Sequence, residues 1–566
     1  MTGRPEHAVG GGGRDVVLDP SRTWLSRREL VTGAMGIGAT LSLAGTLGRP
    51  GQASAQAQAE TPQPGGELVY GAPTRFDTLD PNVTTSSAAA RAFFHLFDPL
   101  VWEVKPGEFV PGLAEKWEVN ATADQYRFVL RKDIKFHDGT PFTAEAVKFT
   151  FDRIVDPELK SQMAFSGIGP YEGSTVVDRY TVAVKFKRPF APFLSSVAQS
   201  VLAPVSPEAV KRYGKDFGSH PVGTGPFQFE SYTPDSVVRM VRNPDYRWAP
   251  SLFKHAGPAY LDAISWRLIP EPATRLAALR AGEVHIIDDV PTQDYRNLQR
   301  EPSIQLLQGE LAGSGWSMMI NVTKPPTDDL HVRQALEWGV DRAAMVRAVW
   351  QGIPKPACSP LTSVMLGYDP ATCNVYRYDP KKAGEILDEG GWKMEPGGVR
   401  RKDGQELALA LYYRSDNADF TAMATFLQST YQPLGIRIEL NGLAQAGYFN
   451  AVRSGRHNLQ FWWDTRTDPD MVRMLLYSAN ADGGTNRSRY KNAEMDKLID
   501  DAAGTRDPLR RKRLYTDIQM KTLREAVMVF FADPLNVFAY QKAKVMGAVL
   551  DWSATNVLLH NTWLKR

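Results

Sequence analysis

The run Leu130-Arg131-Lys132-Asp133-Ile134-Lys135-Phe136-His137-Asp138-Gly139-Thr140-Pro141-Phe142-Thr143-Ala144-Glu145-Ala146-Val147 makes three structural statements in a row. It opens inside a segment, Gln125 to Phe136, where Tyr126, Phe128 and Leu130 recur at alternate positions and so share one face of a strand. His137-Asp138-Gly139-Thr140 breaks that pattern in the manner of a hairpin. Thr143 then stands as an N-cap, and Val147, Phe151 and Ile154 fall on one helical face. A strand, a break and a capped helix in such close succession predict mixed α and β structure.

The same signals continue on both sides. Gly66 to Gly71 reads as a first strand, and residues 91–100 as a helix in which Phe93, Phe94, Leu96 and Phe97 crowd together. From Tyr180 to Lys187, Tyr180, Val182, Val184 and Phe186 point one way while Thr181, Lys185 and Lys187 point the other. Gly223-Thr224-Gly225-Pro226-Phe227 is a tight turn into a strand. From Leu330 the period becomes helical: Val332, Ala335, Leu336 and Gly339 form a stripe, and Asp341 caps a helix carrying Met345, Val346 and Val349. Strands at Leu407 to Tyr413 and Ile436 to Leu440 flank a helix from Phe420 to Tyr431, and two late helices run from Asn492 to Ala503 and from Leu509 to Leu523. No internal repeat interrupts this order.

At 566 residues the chain exceeds what one hydrophobic core organises, so two or three domains are expected. With 43% hydrophobic and 23% charged residues it has the composition of a soluble globular protein. A net charge of +3, with its basic residues scattered, gives no footprint for nucleic acid. The beginning is different. Ser26-Arg27-Arg28 precedes an uncharged run from Val31 to Leu47, followed by the small-residue stretch Ala53-Ser54-Ala55-Gln56-Ala57. This order is that of an export signal cleaved after Ala55, Ala57 or Ala59, and the paired arginines resemble a twin-arginine signal. A membrane anchor is the alternative, but the run is short for a span and poor in Leu and Ile. No cysteine near the cleavage site offers a lipid attachment point. The only cysteines, Cys358 and Cys373, bracket a turn-rich loop; in an oxidising compartment they can pair, and otherwise they are two free thiols.

Motifs of catalysis are missing. None of the nine histidines has an H-x-x-x-H spacing, and there is neither a G-x-S-x-G elbow nor a phosphate-binding loop. No catalytic residue, cofactor or metal is therefore expected. What stands out instead is Phe461-Trp462-Trp463-Asp464-Thr465-Arg466-Thr467-Asp468-Pro469-Asp470. Adjacent tryptophans on a strand project to opposite faces, so one packs inside and the other lines a surface. Pro469 stops the strand and leaves Asp464, Arg466 and Asp468 at its end, where loops carry function; a core tryptophan followed by a solvated turn is the plainer alternative.

Several segments together resemble the peptide/nickel class of extracytoplasmic solute-binding proteins, family 5. They are Leu79-Asp80-Pro81, Phe97-Asp98-Pro99-Leu100, Val110-Pro111-Gly112-Leu113-Ala114-Glu115-Lys116-Trp117, the opening run 130–147, Pro221 to Phe227, Arg242-Asn243-Pro244-Asp245-Tyr246, Val332-Arg333-Gln334-Ala335-Leu336 with Val340-Asp341-Arg342, and Tyr378-Asp379-Pro380-Lys381-Lys382-Ala383. The resemblance implies an α/β, two-lobed periplasmic binding protein fold of type II, cluster C, with an extra subdomain on the first lobe and a hinge-closing cleft. The implied division is a signal and leader at 1–59, a discontinuous first lobe at 60–95, 221–315 and 531–566, the subdomain at 96–220 and the second lobe at 316–530. It further implies a monomeric receptor in the periplasm that hands a small organic solute to the permease subunits of an ABC importer. A sensory partner of the same fold and a periplasmic hydrolase are the alternatives.

In peptide-binding relatives the segment ending in Asp-Pro-Asp carries an aspartate that pairs with the ligand's α-ammonium; the matching position here is Thr465. A hydroxyl cannot offset the desolvation of an ammonium, which argues against a plain dipeptide. Asp464 could take the role only if the strand slipped, and a slip of one residue reverses the face. Arg466, and Arg414 where dipeptide-binding relatives hold a ligand carboxylate, suit an anionic or zwitterionic solute; surface ion pairs are the alternative for both. Trp462 or Trp463, then Trp316, then Phe76 are the candidates for aromatic walls, each with core packing as its alternative.

Overall fold

A computed structural model describes residues 61–566. The export-signal readings at 1–59 lie outside the described residues. Among the described residues no helix is long and apolar enough to cross a membrane.

Three sheets carry the architecture. A seven-stranded sheet has the order Ile304–Glu310, Leu535–Gln541, Ile286–Ile287, Glu67–Ala72, Ala263–Leu268, Val237–Arg242 and Phe227–Thr233. At its centre Glu67–Ala72 pairs in parallel with Ala263–Leu268, bringing Tyr70 opposite Trp266 with ring centroids 4.1 Å apart. A six-stranded sheet has the order Lys355–Pro356, Met528–Asp533, Gly313–Ile320, Leu459–Thr465, Ala408–Arg414 and Arg437–Leu443. Its strand Gly313–Ile320 is buried along its whole length. A four-stranded sheet, Ala114–Val119, Gln125–Leu130, Thr181–Phe186 and Tyr171–Asp178, forms a smaller body with its own core of Phe128, Phe142, Phe151 and Phe193. The fold is thus the mixed, two-lobed one, and the chain of the small body runs between Glu67–Ala72 and Phe227–Thr233, two strands of the seven-stranded sheet.

The chain passes between the two larger sheets twice. Strand Ile304–Glu310 belongs to the first and Gly313–Ile320 to the second; Met528–Asp533 belongs to the second and Leu535–Gln541 to the first. The crossings lie side by side, because Leu311 N donates to the Pro534 carbonyl at 2.9 Å. Two adjacent short strand-to-strand links are where a hinge can absorb rotation without unpicking either sheet.

Local readings survive with shifted ends. The strand expected to reach Phe136 stops at Leu130, because Asp133 takes a φ of 64° and turns the chain out of the sheet. Thr143 holds the N-cap position of the helix Ala144–Val155, yet its side chain makes no capping hydrogen bond. Asp341 caps its helix as expected, accepting from Ala344 N at 2.9 Å. The crowded Phe93, Phe94, Leu96 and Phe97 do not form one cluster: Phe94 turns away from the lobe core to pack on Trp102.

Cys358 and Cys373 are joined in a disulfide across a separation of 15 residues. The loop is also pinned from outside, since Gln519 Nε2 donates to the Gly367 carbonyl at 2.7 Å and Ser359 Oγ donates to Gln519 Oε1 at 2.7 Å. A C358S/C373S variant is expected to fold and to lose about 3 kcal/mol by loop-closure entropy. The midpoint of urea unfolding, compared at equal slope, measures this; an unchanged midpoint would show that the outside contacts restrain the loop fully.

Candidate functional site

A cavity of about 580 Å³ lies between the small inserted body and the end of strand Leu459–Thr465. The inserted body supplies Met163, Phe190, Ser195, Ser196, Gln199 and Leu202; the strand end and following turn supply Asp464, Thr465, Arg466, Thr467, Asp470 and Arg473. Thr555 and Asn556 close it from the C-terminal segment. Its size suits an enclosed small organic molecule.

The second wall is positioned by how its sequence leaves the sheet. Leu459, Gln460 and Phe461 are buried and fix the strand. Arg466 N donates to the Ala312 carbonyl at 3.1 Å, which ties the strand end to one of the hinge crossings. Asp468 then caps a short turn, accepting from Asp470 N at 2.8 Å, with Pro469 at its first position. The same carboxylate takes two bonds from the buried Arg511, at 2.7 and 2.9 Å. Such a forked, charge-assisted pair fixes orientation as well as position.

The arginines of the lining all have carboxylate partners. Arg466 Nε lies 3.4 Å from Asp464 Oδ2. Arg473 reaches Asp470 at 3.0 Å and Asp500 at 2.7 Å, and Arg188 reaches Asp500 at 3.0 Å. Burial pushes the Asp470 carboxyl up to about 6 against the pull of Arg473. The wall therefore presents both signs of charge in close alternation, which suits a ligand carrying both signs.

Of the residues singled out in the sequence, Asp464, Thr465, Arg466 and Asp468 meet on this wall. No register slip is needed for Asp464 to reach it: the strand ends there, with Gly313 opposite Thr465 and Ser314 opposite Asp464. The others are placed elsewhere. Trp462 and Trp463 do take opposite faces. Trp462 packs on the core that holds Met471 and Leu475, while Trp463, 40% exposed, rests on Trp316 with centroids 5.2 Å apart. Trp316 is buried between Trp350 and Phe420. Arg414 forms a two-point pair with Asp416 at 3.0 and 3.1 Å. Phe76 is buried against Trp266, beside a separate small recess. The inserted body's share of the wall carried no sequence signal, because a serine- and glutamine-bearing turn acquires meaning only from what faces it. Gln199, for example, donates to Thr467 Oγ1 at 3.1 Å across a separation of 268 residues.

Residues 108–486 match the family model described as bacterial extracellular solute-binding proteins, family 5 Middle. The glutathione-binding protein GsiB of Escherichia coli (strain K12) is 30% identical over 470 residues, covering 80% of this chain and 86% of that protein. Among solved structures, HbpA2 from Haemophilus parasuis shares 26% identity with a TM-score of 0.76, covering 88% of this chain and 100% of its own. NikA from Brucella suis, solved in complex with Fe(III)-EDTA, shares the fold at a TM-score of 0.76 and 24% identity, covering 88% of this chain and 100% of its own. The ordered motifs, the paired crossings between the two large sheets and these likenesses agree: the chain belongs to the family 5 bacterial extracellular solute-binding proteins.

Proposed function

We propose that this protein is the periplasmic substrate-binding component of an ABC importer and that it captures a zwitterionic, peptide-like solute of roughly tripeptide size. The observation that carries the reading is the lined cavity, in which Asp464, Arg466, Asp470 and Arg473 alternate in charge along one wall. Asp464 is the acceptor for a ligand ammonium and Arg466 the donor for a ligand carboxylate. Glutathione, named for the E. coli relative, has both groups and is the first ligand to test.

The hinge crossings at Leu311–Ala312 and at Pro534 support a discontinuous first lobe, an inserted subdomain and a second lobe that closes on the solute. Export by the twin-arginine route, on the strength of Arg27 and Arg28, and delivery as a monomer to inner-membrane permease subunits complete the proposal.

Mass spectrometry of what is released on denaturing protein from its native host identifies the cargo. Bound glutathione at a hundredfold excess over its dissociation constant raises stability by about 2.7 kcal/mol, visible as a thermal shift. Arg466→Ala is expected to weaken binding of a carboxylate-bearing ligand about tenfold, a change of about 1.4 kcal/mol. An unchanged calorimetric affinity would remove Arg466 from the ligand's contacts.

A further inference from the structure

Glu103 lies behind the cavity wall, outside the lining, in strand Val101–Lys105 of the inserted body. It is buried. Its Oε1 accepts from Gly107 N at 2.8 Å and from Ser195 Oγ at 3.3 Å. Its Oε2 is sealed from solvent and has no hydrogen-bond partner of good geometry. Two groups act on it from the second lobe: the Asp468 carboxylate disfavours its charged form, and the Thr467 hydroxyl favours it. Ser195 and Thr467 belong to opposite walls of the cavity. Glu103 is thus a buried group hydrogen-bonded to one wall and acted on by the other, at a seam where lobe and subdomain are also held by Ala191 N donating to the Ala503 carbonyl at 2.7 Å, by Gln199 donating to Thr467, by the Arg188–Asp500 pair and by Arg506 donating to the Asn120 carbonyl at 2.9 Å.

The charges around that seam constrain what Glu103 can be. Asp468 keeps its own countercharge, Arg511, in a two-point bond. Ser195 and the Gly107 amide are neutral. No cation in this set is left for Glu103, so a second carboxylate would face Asp468 with only neutral donors, among them the Thr467 hydroxyl, to offset its burial. A carboxylic acid removes that repulsion, and its O–H adds a donor at Oε2, which has no hydrogen-bond partner.

We propose that Glu103 is a positioning residue that is protonated when the lobes are closed, so that solute capture in the cavity takes up one proton. The inference rests on the binding-cleft reading of the cavity. Burial is the main cause pushing the Glu103 carboxyl up to about 8, with Asp468 adding to it. The sign follows from linkage. Between its ordinary value of 4.5 and this raised one, the closed seam holds a proton that an open or unfolded chain has released. Rising pH therefore works against closure and against folding through that window, and the effect levels off above about pH 8.

The test compares the wild-type chain with Glu103→Gln, whose amide keeps the acceptor for Gly107 and Ser195 and carries a permanent donor where the acid O–H stands. In the ligand-free arm, the melting temperature of the wild type falls relative to that of E103Q from about pH 5 to about pH 8. In the ligand arm, calorimetric affinity for glutathione falls in the wild type by up to about tenfold per pH unit in the same window, while E103Q keeps the low-pH affinity throughout. A wild-type melting curve that tracks E103Q at every pH overturns the inference, whatever glutathione does. Absence of glutathione binding at all pH values counts against the proposed ligand and leaves the ligand-free arm to decide. Should E103Q fail to fold, E103M, which removes the proton and keeps the length, takes its place.

Discussion

Arg511→Met is expected to destabilise the protein by about 3–5 kcal/mol, the cost of leaving a buried charge without its partner. Arg511 sits near the start of helix Pro508–Arg524 and is buried. Its guanidinium bonds both oxygens of Asp468, donates to the Ala502 carbonyl at 3.2 Å and lies over the Tyr515 ring at 5.4 Å. Methionine replaces the apolar stem and nothing else. Asp468 would then be left facing Glu103 and Asp470, both held in low-dielectric surroundings. Because Asp468 caps the turn that carries Asp470 toward the cavity, solute affinity should fall along with stability. Urea unfolding measures the first effect and calorimetry the second. Adding Asp468→Asn to R511M should recover part of the loss, since the orphaned charge disappears with it. A loss below about 1 kcal/mol would mean that water reaches the pair and that it behaves as a surface ion pair.

Gly313→Ala is the other severe change. Gly313 opens the central strand of the six-stranded sheet, just past a hinge crossing, with a φ of 144°. A Cβ there meets the Asp464 carbonyl oxygen at clashing distance and reaches Thr465 Cα at 2.9 Å and Arg466 N at 3.0 Å. These are all main-chain atoms, so no side chain can swing aside. Strained backbone and overpacking each cost roughly 1–3 kcal/mol, giving an expected loss of about 4 kcal/mol. The displaced atoms are those of the cavity wall. If about 1.4 kcal/mol of the strain is felt only in the ligand-ready arrangement, affinity drops about tenfold. Thermal unfolding and calorimetry on G313A test the two parts separately. Wild-type stability in G313A would show that the strand end is free to move, and would undercut the case that the hinge positions the site.

The alternation of Tyr126, Phe128 and Leu130, the stripe of Val332, Ala335 and Leu336, and the cap at Asp341 each came through as the expected element. These patterns are legible because strand and helix periods are local: each residue's face is set by its near neighbours along the chain. Ends were less legible. The strand ends at Leu130, ahead of Asp133 in a left-handed conformation, which the alternation of apolar residues does not announce. The opposite faces of Trp462 and Trp463 also followed from period alone, but which face would meet the cavity did not. Neither ring lines it, because the strand meets the cavity only from Asp464 onward, at its last two residues, paired with Ser314 and Gly313.

Class and fold were thus written along the chain as ordered local signals, from Leu79-Asp80-Pro81 through the Asp-Pro-Asp of residues 468–470. The cavity was not. Thr465 looked like the loss of an acidic anchor, yet the strand end sets Asp464 on the same wall and pairs it with Arg466. Ser195 and Gln199 have no pattern of their own, and Glu103 reads as one more charge in an alternating strand. They gain a role only because folding sets strand Val101–Lys105 and the turn at 193–202 against residues 464–473. Hydrophobic burial, which the sequence does encode, drives that approach, and the polar groups brought together along the seam then have to satisfy one another's charge and hydrogen bonds.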